Sequence, residues 1–123
     1  MQPSLLASIS SWALVTLGVA HIAFGVVKFK RPLLEAASSG FIGKFTAPEE
    51  RRTAFWFVMF GLPLVLAGHI AVYALGTGDL SLHRIIGGYV FVASLVGVIA
   101  FPKSPFPASL LVSVLLILAG FGC

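Results

Sequence analysis

Four long apolar runs, almost free of charged residues, limit this chain to one kind of architecture. They cover about residues 5–27, 53–75, 85–101 and 106–121. A helix needs about 20 apolar residues to cross a bilayer, and about 17 is the lower limit. An open sheet cannot satisfy its backbone hydrogen bonds in lipid. The runs therefore predict an all-α membrane protein with four transmembrane helices in an up-down bundle.

The composition supports a membrane domain and argues against a nucleic-acid partner. Only 10% of the 123 residues are charged and 59% are hydrophobic, whereas soluble domains carry roughly 25% charged residues. The net charge of +4 could suggest nucleic acid. However, the basic residues flank the apolar runs, and membrane topology explains that placement better. We expect one domain, residues 1–123, that lies in the lipid bilayer as a multi-pass integral membrane protein.

The positions of Lys and Arg predict the orientation of the helices. The first and third connections between the runs hold seven of the eight Lys and Arg residues, and the second connection holds only Arg84. Cytoplasmic loops are enriched in Lys and Arg. Both termini should therefore face the exoplasmic side.

The first connection is long enough to have structure of its own. Residues 32–45 place several apolar side chains at helical spacing, which is typical of a helix lying in the headgroup layer. An irregular loop around Gly40 and Gly43 fits the same residues equally well. Thr46 and Glu49 then have the spacing of a capping box, which predicts that Glu49 and Glu50 start the second transmembrane helix.

Titratable and hydrogen-bonding side chains gather at the exoplasmic end of the predicted bundle. The group consists of His69, Tyr73, Asp79, His83, Arg84 and Tyr89. His69 would be the central acid and base, because imidazole exchanges protons near neutral pH. Asp79 or His83 would orient it, and Tyr73 or Tyr89 would hydrogen-bond a developing oxyanion. Each residue also has a structural explanation, since Asp79 can cap a helix and the others can anchor the membrane interface.

His21 is the only ionisable side chain of the first apolar run. It shares a helix face with Gly18 and Gly25, and small residues of this kind mark the close approach of another helix. We therefore expect His21 to point into the bundle. Two roles remain open at this point: a further group of the catalytic site, or a structural hydrogen bond between helices.

The sequence predicts neither a cofactor nor a metal site. His21 and His69 would differ in depth by ~13 Å in the bilayer, which argues against both ligating one haem. A pair of His21 residues across a dimer would lie at one depth. The apolar runs contain no Asp or Glu and no HExxH motif, and Cys123 is the single cysteine.

Three short motifs carry a family resemblance. They are GxxHxxxG at residues 18–25, Phe55-Trp56-Phe57 followed by Gly61, and Lys103-Ser104-Pro105-Phe106-Pro107. With these motifs the chain resembles a family of small four-helix microbial membrane proteins of unknown function. The resemblance covers most of the chain and implies the four-span fold, without an activity or site residues. In size and span number, the chain is also similar to small membrane cyclases, isomerases and epoxide hydrolases.

Three functions follow as hypotheses. The first is a membrane enzyme that performs acid–base chemistry (isomerisation, cyclisation or epoxide opening) on a lipophilic small molecule, with His69 at its centre. The second is a non-catalytic scaffold or partner subunit, in which small-residue faces pack against other helices. The third is a small oligomeric transporter, which is disfavoured because no ladder of carboxylates lines the runs. A homodimer is expected, since four short spans have little surface to enclose a cavity.

Overall fold

The computed structural model describes residues 4–104 and 106–122, which form five α-helices. Their bounds are α1 Leu5–Lys28, α2 Lys30–Ser38, α3 Glu49–Thr77, α4 Ser81–Ala100 and α5 Phe106–Gly120. These residues contain no strand, so the prediction of an all-α fold is confirmed. The helices α1, α3 and α4 are long and apolar enough to cross a membrane, whereas α5 has 15 residues. Pro105 and Cys123 lie outside the described residues.

The helix α3 begins at the predicted residue but without the predicted cap. The helix begins at Glu49 with Pro48 as its N-cap residue, and no side chain caps it. The predicted capping box is therefore wrong. Thr46 precedes the N-cap position, so it does not occupy the site from which a hydroxyl reaches the first free N–H groups.

The first connection is helical only in its first half. The helix α2 ends at Ser38. Beyond it, Gly40, Phe41 and Gly43 have φ angles of +113°, +67° and +71°, which a right-handed helix does not contain. The expected helix over residues 32–45 is therefore correct for its first part, and the irregular loop is correct for the remainder.

The four apolar helices pack side by side in the order α3, α1, α5, α4. The helix α1 packs mainly against α3 and α5, and α4 packs mainly against α5. The consecutive helices α3 and α4 contact each other little. Where α1, α3 and α5 meet, a small core forms from Leu14, Ala71, Val112 and Leu116.

Glycines allow α1 and α3 to approach closely. A Cβ atom on Gly18 would lie 2.6 Å from the backbone nitrogen of Val65, and one on Gly68 would lie 2.6 Å from that of Val15. Lipid provides no hydrophobic driving force between helices, so close van der Waals packing of small residues holds such a pair together. The prediction that Gly18 marks a close helix approach fits this interface, and the approaching helix is α3 of the same chain.

Candidate functional site

The most deeply buried titratable side chain is His83, on the first turn of α4. Its side chain is completely buried, and Nε2 lies 3.0 Å from Oγ of Ser11 in α1. The Ser11 hydroxyl donates in turn to the carbonyl of Ala7 at 2.7 Å. A serine has one hydroxyl hydrogen, and with that hydrogen directed to Ala7, Ser11 accepts from Nε2 of His83. This network assigns the imidazole proton to Nε2 and the lone pair to Nδ1.

The other ring nitrogen of His83 has no partner. Nδ1 is buried and makes no hydrogen bond. The charge and the backbone carbonyl of Asp79 both act on the ring, with the carbonyl on the acceptor side, but no hydrogen bond of ordinary geometry reaches Nδ1. The Asp79 carboxylate accepts from the Ser81 backbone N–H at 3.1 Å and from the Ser81 hydroxyl. Buried polar atoms without partners are rare, and this one is a base with an available lone pair.

Arg84 closes the same end of the molecule. Its Nη1 donates to the carbonyl of Gly120 at 2.6 Å, and its guanidinium lies 5.2 Å from the centre of the Phe121 ring. A Cβ atom on Gly120 would collide with the side chain and backbone of Arg84. Arg84 therefore fixes the start of α4 to the end of α5, directly beside His83.

His21 occupies a separate position between α1 and α3. Its Nε2 lies 2.8 Å from the backbone carbonyl of Phe57, to which it donates. The imidazole stacks on the Phe57 ring with centroids 4.2 Å apart and contacts Phe60 edge-on at 5.7 Å. His21 thus points into the helix pair, as expected from its glycine neighbours. Of the two roles considered for His21, a catalytic group or a structural hydrogen bond between helices, this arrangement favours the structural one.

The remaining candidate residues lie on the outside of the described structure. His69 is exposed, and Tyr73 and Tyr89 are 69% and 78% exposed. No hydrogen bond joins them to one another, to Asp79 or to His83. The structure therefore brings together His83, Asp79 and Arg84 of the predicted group, and it does not bring His69 or the tyrosines to them.

Sequence reasoning missed Ser11 as the partner of His83. The two residues are separated by 72 positions, and serine is common in membrane helices. The predicted depth in the bilayer could have suggested the pair. Ser11 lies near the start of the first apolar run and His83 just before the third run, so both are at the same predicted end of the bundle. A second polar link was also missed, between Ser94 of α4 and Ser109 of α5, whose hydroxyl oxygens lie 2.6 Å apart.

Among the described residues, no three His, Cys, Asp or Glu side chains come together in a way that would hold a metal ion. The site is thus a Ser–His pair held between two helices. The chemistry available to it is proton transfer at Nδ1, since Nε2 is engaged by Ser11.

Fold and site together define a small bundle of apolar helices, three of them long enough to cross a membrane, with a buried Ser–His pair between α1 and α4. Residues 6–121 match DUF6463, a family of unknown function, and the chain belongs to that family. This confirms the predicted membership of an uncharacterised family. Comparison with curated proteins and with solved structures finds no match.

Proposed function

We propose that the chain is a multi-pass integral membrane protein with four crossings and both termini on the exoplasmic side. Three helices have the required length and hydropathy. The 15 residues of α5 extend about 22 Å at helical rise, less than the ~30 Å hydrocarbon core. A crossing by α5 is supported by its packing along α4, and local thinning of the bilayer accommodates a short helix at modest cost.

Cysteine labelling in intact cells tests this topology. In a Cys123→Ser background, single cysteines replace Thr77 at the α3–α4 connection or Ser39 in the first connection, both exposed. A membrane-impermeant maleimide should label the Thr77→Cys chain in intact cells. It should label the Ser39→Cys chain only after permeabilisation. The reverse pattern would overturn the orientation, and labelling of both in intact cells would overturn the number of crossings.

We further propose that this protein performs acid–base chemistry on a lipophilic substrate, with His83 as the base. The observation that supports it is the buried Nδ1 of His83, which has no hydrogen-bond partner while Nε2 is bonded to Ser11. Ionisable residues inside apolar helices are costly and are functional by default. A neutral imidazole with one nitrogen fixed and the other free is ready to accept a proton.

A single base favours isomerisation among the three reactions considered. One base can remove a proton from the carbon between a carbonyl and a double bond and return it to the far carbon of that double bond, so that the double bond moves by one position. This shift balances in atoms and charge without a cofactor. Epoxide opening requires an acid and a nucleophile on opposite faces. Within residues 4–104 and 106–122, the tyrosines lie outside the site and the Asp79 carboxylate is bonded to Ser81.

Substrate access requires movement at this end of the bundle. His83 is completely buried, so α1 and α4 must separate near Ser11 before a substrate can reach Nδ1. The small contact between α3 and α4 leaves α4 held mainly by α5 and by the Ser11 and Arg84 hydrogen bonds. A lipophilic substrate would enter from the bilayer, where α4 is largely exposed.

Comparative mass spectrometry of lipid extracts tests the activity. Wild-type protein, the His83→Gln variant, the His69→Gln variant and an empty vector are compared in a host that lacks the gene. Glutamine at position 83 can keep the donor to Ser11 but removes the base. The proposal predicts a compound that depends on wild-type protein, disappears in His83→Gln and persists in His69→Gln. Retention of the compound in His83→Gln would overturn the proposal. Loss of the compound only in His69→Gln would assign the role of the base to His69.

A second candidate function, a partner subunit, is favoured by the outward face of α3. His69 and Tyr73 lie one turn apart on this face, and Leu66 below them is 59% exposed. We infer that a second copy covers it, because an axis along the membrane normal keeps two His69 residues at one depth, where the donor nitrogen of one imidazole can bond to the acceptor nitrogen of the other. Oxidative cross-linking of Leu66→Cys in a Cys123→Ser background should give dimers, with Ile99→Cys on α4 as the control. No cross-link, or an equal yield from Ile99→Cys, would contradict this interface.

A further inference from the structure

A cavity lies at the opposite end of α3 from the His83 site. It has a volume of about 470 Å³ and is formed by the loop after α2 and the first turns of α3. The side chains that define it are mostly aromatic, with one cation: Phe41, Phe45, Thr46, Arg52, Phe55 and Trp56. None of them takes part in the site described above.

The aromatic side chains form a continuous wall. Phe41 contacts Phe45 with ring centroids 5.1 Å apart, Phe45 contacts Phe55 at 5.4 Å, and Phe55 contacts Trp56 at 5.3 Å. Trp56 is nevertheless 65% exposed. Tryptophan is enriched at the level of lipid headgroups, and this one stands where the charged start of α3 gives way to its apolar part.

Arg52 supplies a positive charge that no carboxylate neutralises. Its Nη2 donates to the carbonyl of Thr46 at 2.8 Å, and in the described part of the chain it forms no salt bridge. The neighbouring Arg51 differs, because it lies 3.9 Å from Glu35 and its Nη1 donates to the carbonyl of Lys44. Arginine binds phosphate groups with parallel hydrogen bonds, so Arg52 is a free anion-binding group at the edge of an apolar wall.

We propose that this cavity binds an anionic phospholipid, with the phosphate on Arg52 and the upper acyl chain along Phe55 and Trp56. The combination of one uncompensated arginine with an aromatic, exposed wall fits a molecule that is charged at one end and apolar at the other. A soluble anion would use Arg52 but not the wall. A zwitterionic lipid offers the same phosphate, but its own cationic headgroup weakens the net attraction to Arg52. The first connection contains most of the Lys and Arg of the chain, which adds attraction toward anionic lipid.

Quenching of Trp56 fluorescence by brominated lipid tests the site. The protein is studied in a Trp12→Phe background, so that Trp56 is the only tryptophan. It is placed in phosphatidylcholine vesicles with equal fractions of phosphatidylglycerol or phosphatidylcholine brominated near the top of the acyl chain. The proposal predicts at least twofold stronger quenching by the brominated phosphatidylglycerol. Equal quenching by the two lipids would overturn it.

Variants separate a site from general attraction by charge. Arg52→Gln should abolish the preference, whereas Lys103→Gln, which removes a cation from the third connection, should retain it. Loss of the preference in both variants would mean attraction to the surface as a whole and would overturn the site. Should Arg52→Gln fail to fold, Arg52→Lys keeps the charge but not the paired hydrogen bonds. It should then lower the preference, and an unchanged preference would contradict the proposal.

A measurement with inorganic phosphate distinguishes a lipid phosphate from a soluble anion at Arg52. Added at millimolar concentration to vesicles containing the brominated anionic lipid, phosphate should leave the quenching of Trp56 unchanged. Relief of quenching by phosphate, with sodium chloride of equal ionic strength as the control, would assign Arg52 to a soluble anion and overturn the lipid site.

Discussion

His21 of α1 donates a 2.8 Å hydrogen bond to the backbone carbonyl of Phe57, and its imidazole stacks on the ring of that same residue at 4.2 Å. One side chain thus joins α1 to both the backbone and a side chain of α3. Because glycines allow the two helices to approach closely around it, the imidazole is partly buried between them and bonded to a neutral carbonyl.

Replacement of His21 by alanine should therefore destabilise the helix pair. The loss of a hydrogen bond and of an aromatic contact predicts a decrease of about 1–3 kcal/mol in the free energy of unfolding. Unfolding in mixed detergent, followed by circular dichroism, measures it. Val92→Ala in α4 is the control, since Val92 is 62% exposed, and it should change the free energy by less than about 0.5 kcal/mol. Equal effects of the two substitutions would contradict a structural role for His21.

The close approach of α1 and α3 predicts that a larger side chain at Gly68 will destabilise the protein. A methyl group there would meet the backbone of Val15, and such overpacking costs about 1–3 kcal/mol. Gly88 of α4 is the matched control, because a Cβ atom added to it would meet nothing within 4 Å. Gly88→Ala should be neutral or stabilising by up to about 1 kcal/mol. Thermal denaturation in one detergent compares the two, and a Gly68→Ala protein as stable as Gly88→Ala would refute the interface.

Ser11 and Ser113 offer a comparison at the polar site. Both are completely buried, but Ser11 also accepts from His83, while Ser113 donates only to Leu110 of its own helix at 2.6 Å. Ser11→Ala leaves the Nε2 hydrogen of His83 without an acceptor and should cost about 1–3 kcal/mol. Ser113→Ala should cost less than about 0.5 kcal/mol.

A double-mutant cycle of Ser11→Ala with His83→Leu isolates the Ser11–His83 contact. The two substitutions should be clearly non-additive, because removing His83 also removes the donor that Ser11→Ala leaves unsatisfied. The free energies of unfolding are measured in the same detergent mixture. Additive effects would show that the two side chains do not interact, and the assignment of the lone pair to Nδ1 would then lose its basis.

The sequence predicted the helices well because their signal is local. Uninterrupted apolar stretches and the turn residues at Gly78 and Pro102 are visible without tertiary contacts, and the helix bounds agree with the predicted spans to within a few residues. The glycine pattern around His21 also predicted its inward direction. The first residue of α3 was predicted correctly, but its capping box was not, because a capping box depends on which residue takes the N-cap position, and here that residue is Pro48.

The site was less predictable because it depends on which helices are neighbours. His69, Tyr73 and Tyr89 lie at similar predicted depth, yet they face outward, since α3 and α4 pack little against each other. Depth alone does not determine the direction in which a side chain points. The pairing of Ser11 with His83 follows from the position of α1 relative to α4, which no local pattern encodes.

The ¹⁵N NMR spectrum of the histidine rings is the decisive test of the proposed base, since the chemistry requires a free lone pair on Nδ1 of His83. The signals of His83 are identified by their loss in His83→Gln. The hydrogen bond to Ser11 predicts a neutral ring at pH 7 with the proton on Nε2, so that Nδ1 gives the shift of a non-protonated imidazole nitrogen without a hydrogen bond. A proton on Nδ1, or protons on both nitrogens, would contradict it and remove His83 as the base.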